Sequence, residues 1–148
     1  MDELDRKLLR IIQMEFPLKE RPFLEISKAI GISEDETILR VRNLIKKGVI
    51  RRIGPILDTE RLGMVSTLVG MKIPEEEIEK AAEIVNAYDE ISHNYLRGGG
   101  EYNMWFTISA INKERLEEIL KEIGEKLPYP MLDLPTEKVF KIGVEFRI

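Results

Sequence analysis

His93 is the only histidine in the chain, and imidazole is the side chain that exchanges a proton closest to neutral pH. It stands in the stretch SHNYLRGGGEYNMWFT, Ser92 to Thr107, which also carries Tyr95, Arg97, Tyr102 and Trp105. If the first half of that stretch is a strand, side chains alternate and His93, Tyr95 and Arg97 project from one face. Such a face offers an acid–base group, a phenol, and a guanidinium whose fork matches a carboxylate. Tyr102 and Trp105, read as lying on the paired strand, add flat aromatic surfaces. Each residue also has an ordinary explanation. Lone histidines are more often structural or exposed, Tyr95 and Trp105 suit a core or a subunit interface, and Arg97 suits a solvated hairpin end. Gly98–Gly99–Gly100 leads into no helix, so it joins two strands and does not cradle phosphate. Arg51 and Arg52 form a second cationic point, suited to phosphates touched from a DNA-binding wing or to ligand carboxylates.

The elements that must position these residues follow from periodicity. Leu4, Leu8, Leu9, Ile11 and Ile12 recur at helical spacing, so Asp2 to Glu15 reads as an amphipathic helix. Phe16–Pro17 and Arg21–Pro22 mark a turn, and a short helix from Phe23 stops at Gly31. Ser33, followed by Glu36, opens a third helix with a capping box. Val49–Leu57 is rich in β-formers and contains Gly54–Pro55, as a small wing would. Three helices and a wing make a winged helix-turn-helix. After Gly63 the rhythm changes to Val65–Ile73 as a strand, a helix opening at Pro74, and strands Ile91–Arg97 and Tyr102–Ala110. A helix over Lys113–Lys126 and a closing strand over Lys138–Phe146 complete the order βαββαβ, the ferredoxin-like arrangement. The fold class is therefore α+β, with residues 1–60 as the winged helix-turn-helix domain and residues 61–148 as a ferredoxin-like ligand-binding and dimerisation domain.

Composition narrows the function classes. A chain of 148 residues that is 43% hydrophobic buries a sufficient core unaided. With no cysteine, disulfides, thiolate metal sites and thiol nucleophiles are excluded. No apolar run approaches the roughly 18 residues of a membrane span, and Met1–Arg10 is charged where a signal peptide would be apolar. The cytoplasm is the expected location. The net charge of −4 argues against a general nucleic-acid binder.

A winged helix-turn-helix followed by a ferredoxin-like domain resembles the Lrp/AsnC regulators. Two stretches, IRRIGPILDTERLG over Ile50–Gly63 and SHNYLRGGGEYNMWFT over Ser92–Thr107, narrow the resemblance to the siroheme decarboxylases. The likeness covers nearly the whole chain and is most specific in the second stretch. It implies removal of the carboxyl groups from the C12 and C18 acetates of siroheme, giving didecarboxysiroheme in haem biosynthesis. It also implies an iron tetrapyrrole bound as substrate with no further cofactor or metal site, His93 and Tyr95 as catalytic groups, and Arg51, Arg52, Arg97, Tyr102 and Trp105 as substrate contacts. Some subunits of that family carry a further histidine where this chain has Leu57–Asp58–Thr59. The expected partner is therefore a paralogous subunit in a heterodimer, with a homodimer as the alternative.

The competing reading is an AsnC/Lrp transcription regulator. The reading helix should present its first turn to base edges, and here that turn is Ser33–Glu34–Asp35–Glu36. Lys and Arg outnumber Asp and Glu only slightly over Met1–Leu57, which is thin where counterion release drives binding. Weak or absent DNA binding is expected.

Overall fold

The computed structural model describes residues 1–140 and Phe146. Two compact units are present, one built on Met1–Ile56 with Phe146 and the other on Leu57–Phe140.

In the first unit, helices α1 (Glu3–Met14), α2 (Pro22–Ile30) and α3 (Glu34–Lys46) bury Leu8, Ile26, Val41, Leu44 and Ile50 together. Asp2 begins α1 with a full capping box: its carboxylate accepts from the Asp5 amide at 2.8 Å while Asp5 returns to the Asp2 amide. Pro22 fits the first position of α2, where no amide is needed. Gly31 ends that helix at φ +79°, a conformation glycine adopts without steric cost. Ser33 caps α3 through the Glu36 amide at 3.1 Å, but the expected return bond from Glu36 is not made. The Glu36 carboxylate instead binds Arg40, whose guanidinium also reaches Asp2 at 2.7 Å and Asp5 at 2.9 Å. One arginine on α3 thus clamps the start of α1. The expected wing is corrected by the structure: Val49–Leu57 forms no strand. The proline at position 55 and its glycine neighbour leave that stretch without ladder partners among the described residues.

The second unit is one antiparallel sheet covered by two helices. Strands β1 (Val65–Met71), β2 (Ile91–Leu96), β3 (Met104–Ala110) and β4 (Met131–Pro135) lie in the order β2-β3-β1-β4. Helix α4 (Ile78–Asn86), entered through a short 3-10 turn at Glu75–Glu77, and α5 (Lys113–Lys126) pack on one face. On that face Val69, Met71, Met104, Phe106 and Ile108 meet Ala81, Val85, Ile119 and Ile123, all buried. The chain order is βαββαβ, as expected. The closing strand falls earlier than the sequence indicates. Lys138–Phe140 is irregular, the remainder of Lys138–Phe146 except Phe146 lies outside the described residues, and Met131–Pro135 supplies the fourth strand. Its two ends carry prolines, which obscured it, since proline is tolerated on an edge strand.

Among the described residues no helix packs on the outer face of the sheet. Leu68 and Leu134 are cross-strand partners there and stay substantially exposed.

The Arg40 clamp is testable through its pH dependence. Asp2 is held below the ordinary carboxyl range by the Asp5 amide and then by Arg40, and the three carboxylates raise Arg40 above its own. A carboxyl depressed on folding stabilises above its unfolded pKa and loses that contribution as pH falls through the folded value. Arg40→Met is expected to cost on the order of 1 kcal/mol at pH 7, with the difference from wild type shrinking below about pH 4. Urea melts at both pH values measure this, and a penalty independent of pH contradicts the clamp.

Candidate functional site

Strand β2 is an edge of the sheet, and only its inner neighbour β3 holds its register. Asn94 pairs with Phe106 and Leu96 with Met104, both inward residues of β3, while His93 pairs with Thr107 and Tyr95 with Trp105 on the outer face. The ladder is interrupted between Ile91 and His93 by a bulge. Beyond it Ile91 pairs with Ile108 and packs on the core. His93, Tyr95 and Arg97 do share one face. The His93 and Tyr95 rings stack at 6.1 Å with planes 27° apart, and the Arg97 guanidinium carbon lies 5.8 Å from the Tyr95 ring centre. Ser92 Oγ lies 2.8 Å from His93 Nδ1, leaving Nε2 as the other ring nitrogen.

Trp105 lies beside Tyr95 in register and is half-buried. Its partner on β1 is Gly70, and a Cβ there would come within 2.9 Å of two indole carbons. The indole therefore lies flat on the backbone of the central strand, a position only glycine permits. Tyr102 is not on β3 as expected but in the connection before it. It still meets Trp105 edgewise at 6.5 Å, and its carbonyl accepts the indole N–H at 2.9 Å.

Asn103 ties this connection to the sheet. Its side chain accepts from the Ile73 amide at 2.9 Å and donates to the Ile73 carbonyl at 2.8 Å. Its carbonyl accepts the Arg97 amide at 2.7 Å. Arg97 is thus fixed at the root although it follows the last strand residue. Ser92, Gly70 and Asn103 were not singled out in the sequence. Gly70, a glycine inside an apolar strand, is the one with a readable signal, since such glycines mark a close approach.

Arg51 and Arg52 belong to the other unit. Both are exposed and line a groove of about 1260 Å³ with Leu9, Ile12, Phe16 and Ile53. Among the described residues no carboxylate pairs with Arg51, Arg52 or Arg97, whereas Arg21, Arg40, Arg61 and Arg115 each have at least one. Unneutralised guanidiniums are what a polyanionic ligand requires. Among the described residues no group of His, Asp and Glu side chains is placed to hold a metal ion, and no helix is long and apolar enough to cross a membrane.

Comparison with known proteins sets this geometry in context. Residues 61–141 match the family of AsnC-like ligand binding domains, and residues 5–51 match the siroheme decarboxylase NirDL-like HTH domain. The chain is 42% identical over its full length to the siroheme decarboxylase alpha subunit of Desulfovibrio desulfuricans, covering 85% of that protein. It is 36% identical over its full length to the siroheme decarboxylase NirD subunit of Pseudomonas aeruginosa, covering 97% of it. The crystal structure of siroheme decarboxylase NirDL with an iron-uroporphyrin III analogue superposes with a TM-score of 0.69 at 32% identity, over 88% of this chain and 43% of that one. The leucine response regulatory protein of Mycobacterium tuberculosis superposes with a TM-score of 0.81 at 18% identity over 99% of both chains, a likeness of fold alone.

Trp105 is the only tryptophan, so its seat on Gly70 is directly observable. Gly70→Ala is expected to shift the intrinsic emission maximum and cost about 1–3 kcal/mol. Emission and stability both unchanged would show that the indole does not rest on Gly70.

Proposed function

The chain belongs to the siroheme decarboxylase family, and from that premise we propose that it is a carboxy-lyase subunit acting on the C12 and C18 acetates of siroheme to give didecarboxysiroheme. The observation that carries this reading is the row His93–Tyr95–Arg97 stacked along one strand edge beside Trp105.

An acetate on a pyrrole loses CO2 by breaking its C–C bond and leaving the electron pair on the methylene carbon, where the conjugated ring accepts it. A proton on that carbon then completes the methyl group. The substrate supplies the electron sink, so the protein needs to orient the carboxylate, hold the ring and deliver the proton. Arg97 is the carboxylate clamp in this reading, Tyr102 and Trp105 are flat contacts for the macrocycle, and Arg51 and Arg52 bind further peripheral carboxylates. His93 delivers the proton, with Tyr95 stacked against it as the second catalytic group. No cofactor beyond the substrate's own ring is needed.

Two features support a paired subunit. The relatives are named as subunits, and the outer face exposes Leu68, Leu134 and Tyr95, an apolar surface that favours burial against another chain. The absence of a histidine at Leu57–Asp58–Thr59 supports a paralogue as the partner, and the cytoplasm is the proposed location. The regulator reading has less support. Arg40 is spent on Asp2, Asp5 and Glu36, Arg21 pairs with Glu34, and the first turn of α3 is acidic. Duplex binding is expected to be weak, independent of sequence and steeply salt-sensitive. A specific footprint at physiological salt would restore the regulator.

The enzymatic test is anaerobic incubation with siroheme, with and without the paralogue, followed by mass analysis for loss of two CO2. In the active complex His93→Ala should cut kcat by about 10²- to 10⁴-fold. Arg97→Ala should raise KM as well as lower the rate, because a clamp contributes to binding. Full turnover in His93→Ala rules out the proton-donor role.

A further inference from the structure

We infer that Ser92 is a positioning residue for the reaction: as the extra residue of the β2 bulge, it occupies His93 Nδ1 and reserves Nε2 for proton delivery. The inference rests on the decarboxylase reading above.

In an unbroken strand, residues 91, 93, 95 and 97 would all face outward. Ile91 instead pairs with the inward Ile108 and packs on the core, while His93 pairs with the outward Thr107. Only one additional residue between them reconciles both demands, and Ser92 is that residue. Bulges re-aim side chains at a sheet edge, and here the bulge seats Ile91 in the core without turning His93 inward. It also brings Ser92 Oγ to 2.8 Å from His93 Nδ1, although neighbours in a regular strand point to opposite faces.

A serine hydroxyl can hold Nδ1 in both states of the ring. It both donates and accepts. The imidazolium's Nδ1–H donates to Oγ, and the neutral ring left after Nε2 gives up its proton keeps that Nδ1–H and the same bond. With Nδ1 occupied and the ring stacked on Tyr95, Nε2 is the atom left to exchange protons. Its proton goes to the methylene carbon that has lost CO2, and solvent restores it.

His93 is the only histidine, so the ring nitrogens of a histidine-labelled sample are read without ambiguity. Long-range proton–nitrogen NMR on the wild-type chain, Ser92→Ala and Ser92→Thr reports which nitrogen carries the proton. We expect Ser92→Ala to change the tautomer balance and Ser92→Thr to retain that of the wild type. In the complete complex with siroheme, Ser92→Ala should lower kcat about tenfold with KM within twofold of wild type, and Ser92→Thr should restore it. An unchanged ring signal in Ser92→Ala overturns the inference whatever the activity does. A changed signal with unaltered kcat overturns it as well. Failure of the decarboxylase reading shows separately, as absence of CO2 loss in the wild-type complex.

Discussion

A slip of strand β3 by one residue would turn Met104, Phe106, Ile108 and Ala110 to solvent and bury Trp105, Thr107 and Ser109 in their place. Large apolar side chains lose roughly 1.5–3 kcal/mol each when exposed, so this slip costs as much as the net stability of many domains. The register of β3 is therefore fixed by the core, and both neighbours take their positions from it. β1 sets Gly70 opposite Trp105, and β2 sets Tyr95 on the other side of it. The face that carries His93, Tyr95, Trp105 and Arg97 is the reverse side of the hydrophobic core.

That dependence explains what was legible in the sequence. Alternation in the β3 segment and helical spacing in α1 and α5 are local patterns imposed by burial, and they gave both the element order and the shared face of His93, Tyr95 and Arg97. The bulge was not legible, because it depends on which residue of β3 stands opposite Ile91. Asn103 was equally hidden: its partner Ile73 lies thirty positions earlier in the chain. The wing was misread because Val49–Leu57 has strand-forming residues but no ladder partner among the described residues. Strand β4 was missed because the alternating apolar pattern of the chain's last residues outweighs that of Met131–Pro135.

The charges of the first unit bear on the proposed weakness of duplex binding. The acids opening α3 favour a helix N-terminus, and Arg40 joins α3 to α1, so the same charges that stabilise the three helices remove cations from a phosphate-facing role. Arg51 and Arg52 follow the last helix and lie beside an apolar groove. Cations next to apolar surface suit a flat, carboxylate-rimmed ring better than a duplex, whose phosphates call for a wide and uniformly basic surface.

The exposure of the candidate site bears on how it works. His93 and Tyr95 stand on an edge strand open to water, where Coulombic and hydrogen-bonding interactions are weak. A ring large enough to cover His93, Tyr95 and Trp105 together removes that water on arrival. The guanidinium of Arg97 and the serine–imidazole bond then strengthen at the moment they are needed. Under the proposed chemistry the substrate supplies both the electron sink and much of the dry environment. The protein's share is geometric: a core that fixes β3, a glycine that seats the indole, and one extra residue that turns a histidine outward. Under the proposed pairing, a second subunit on the outer face encloses the ring from the other side.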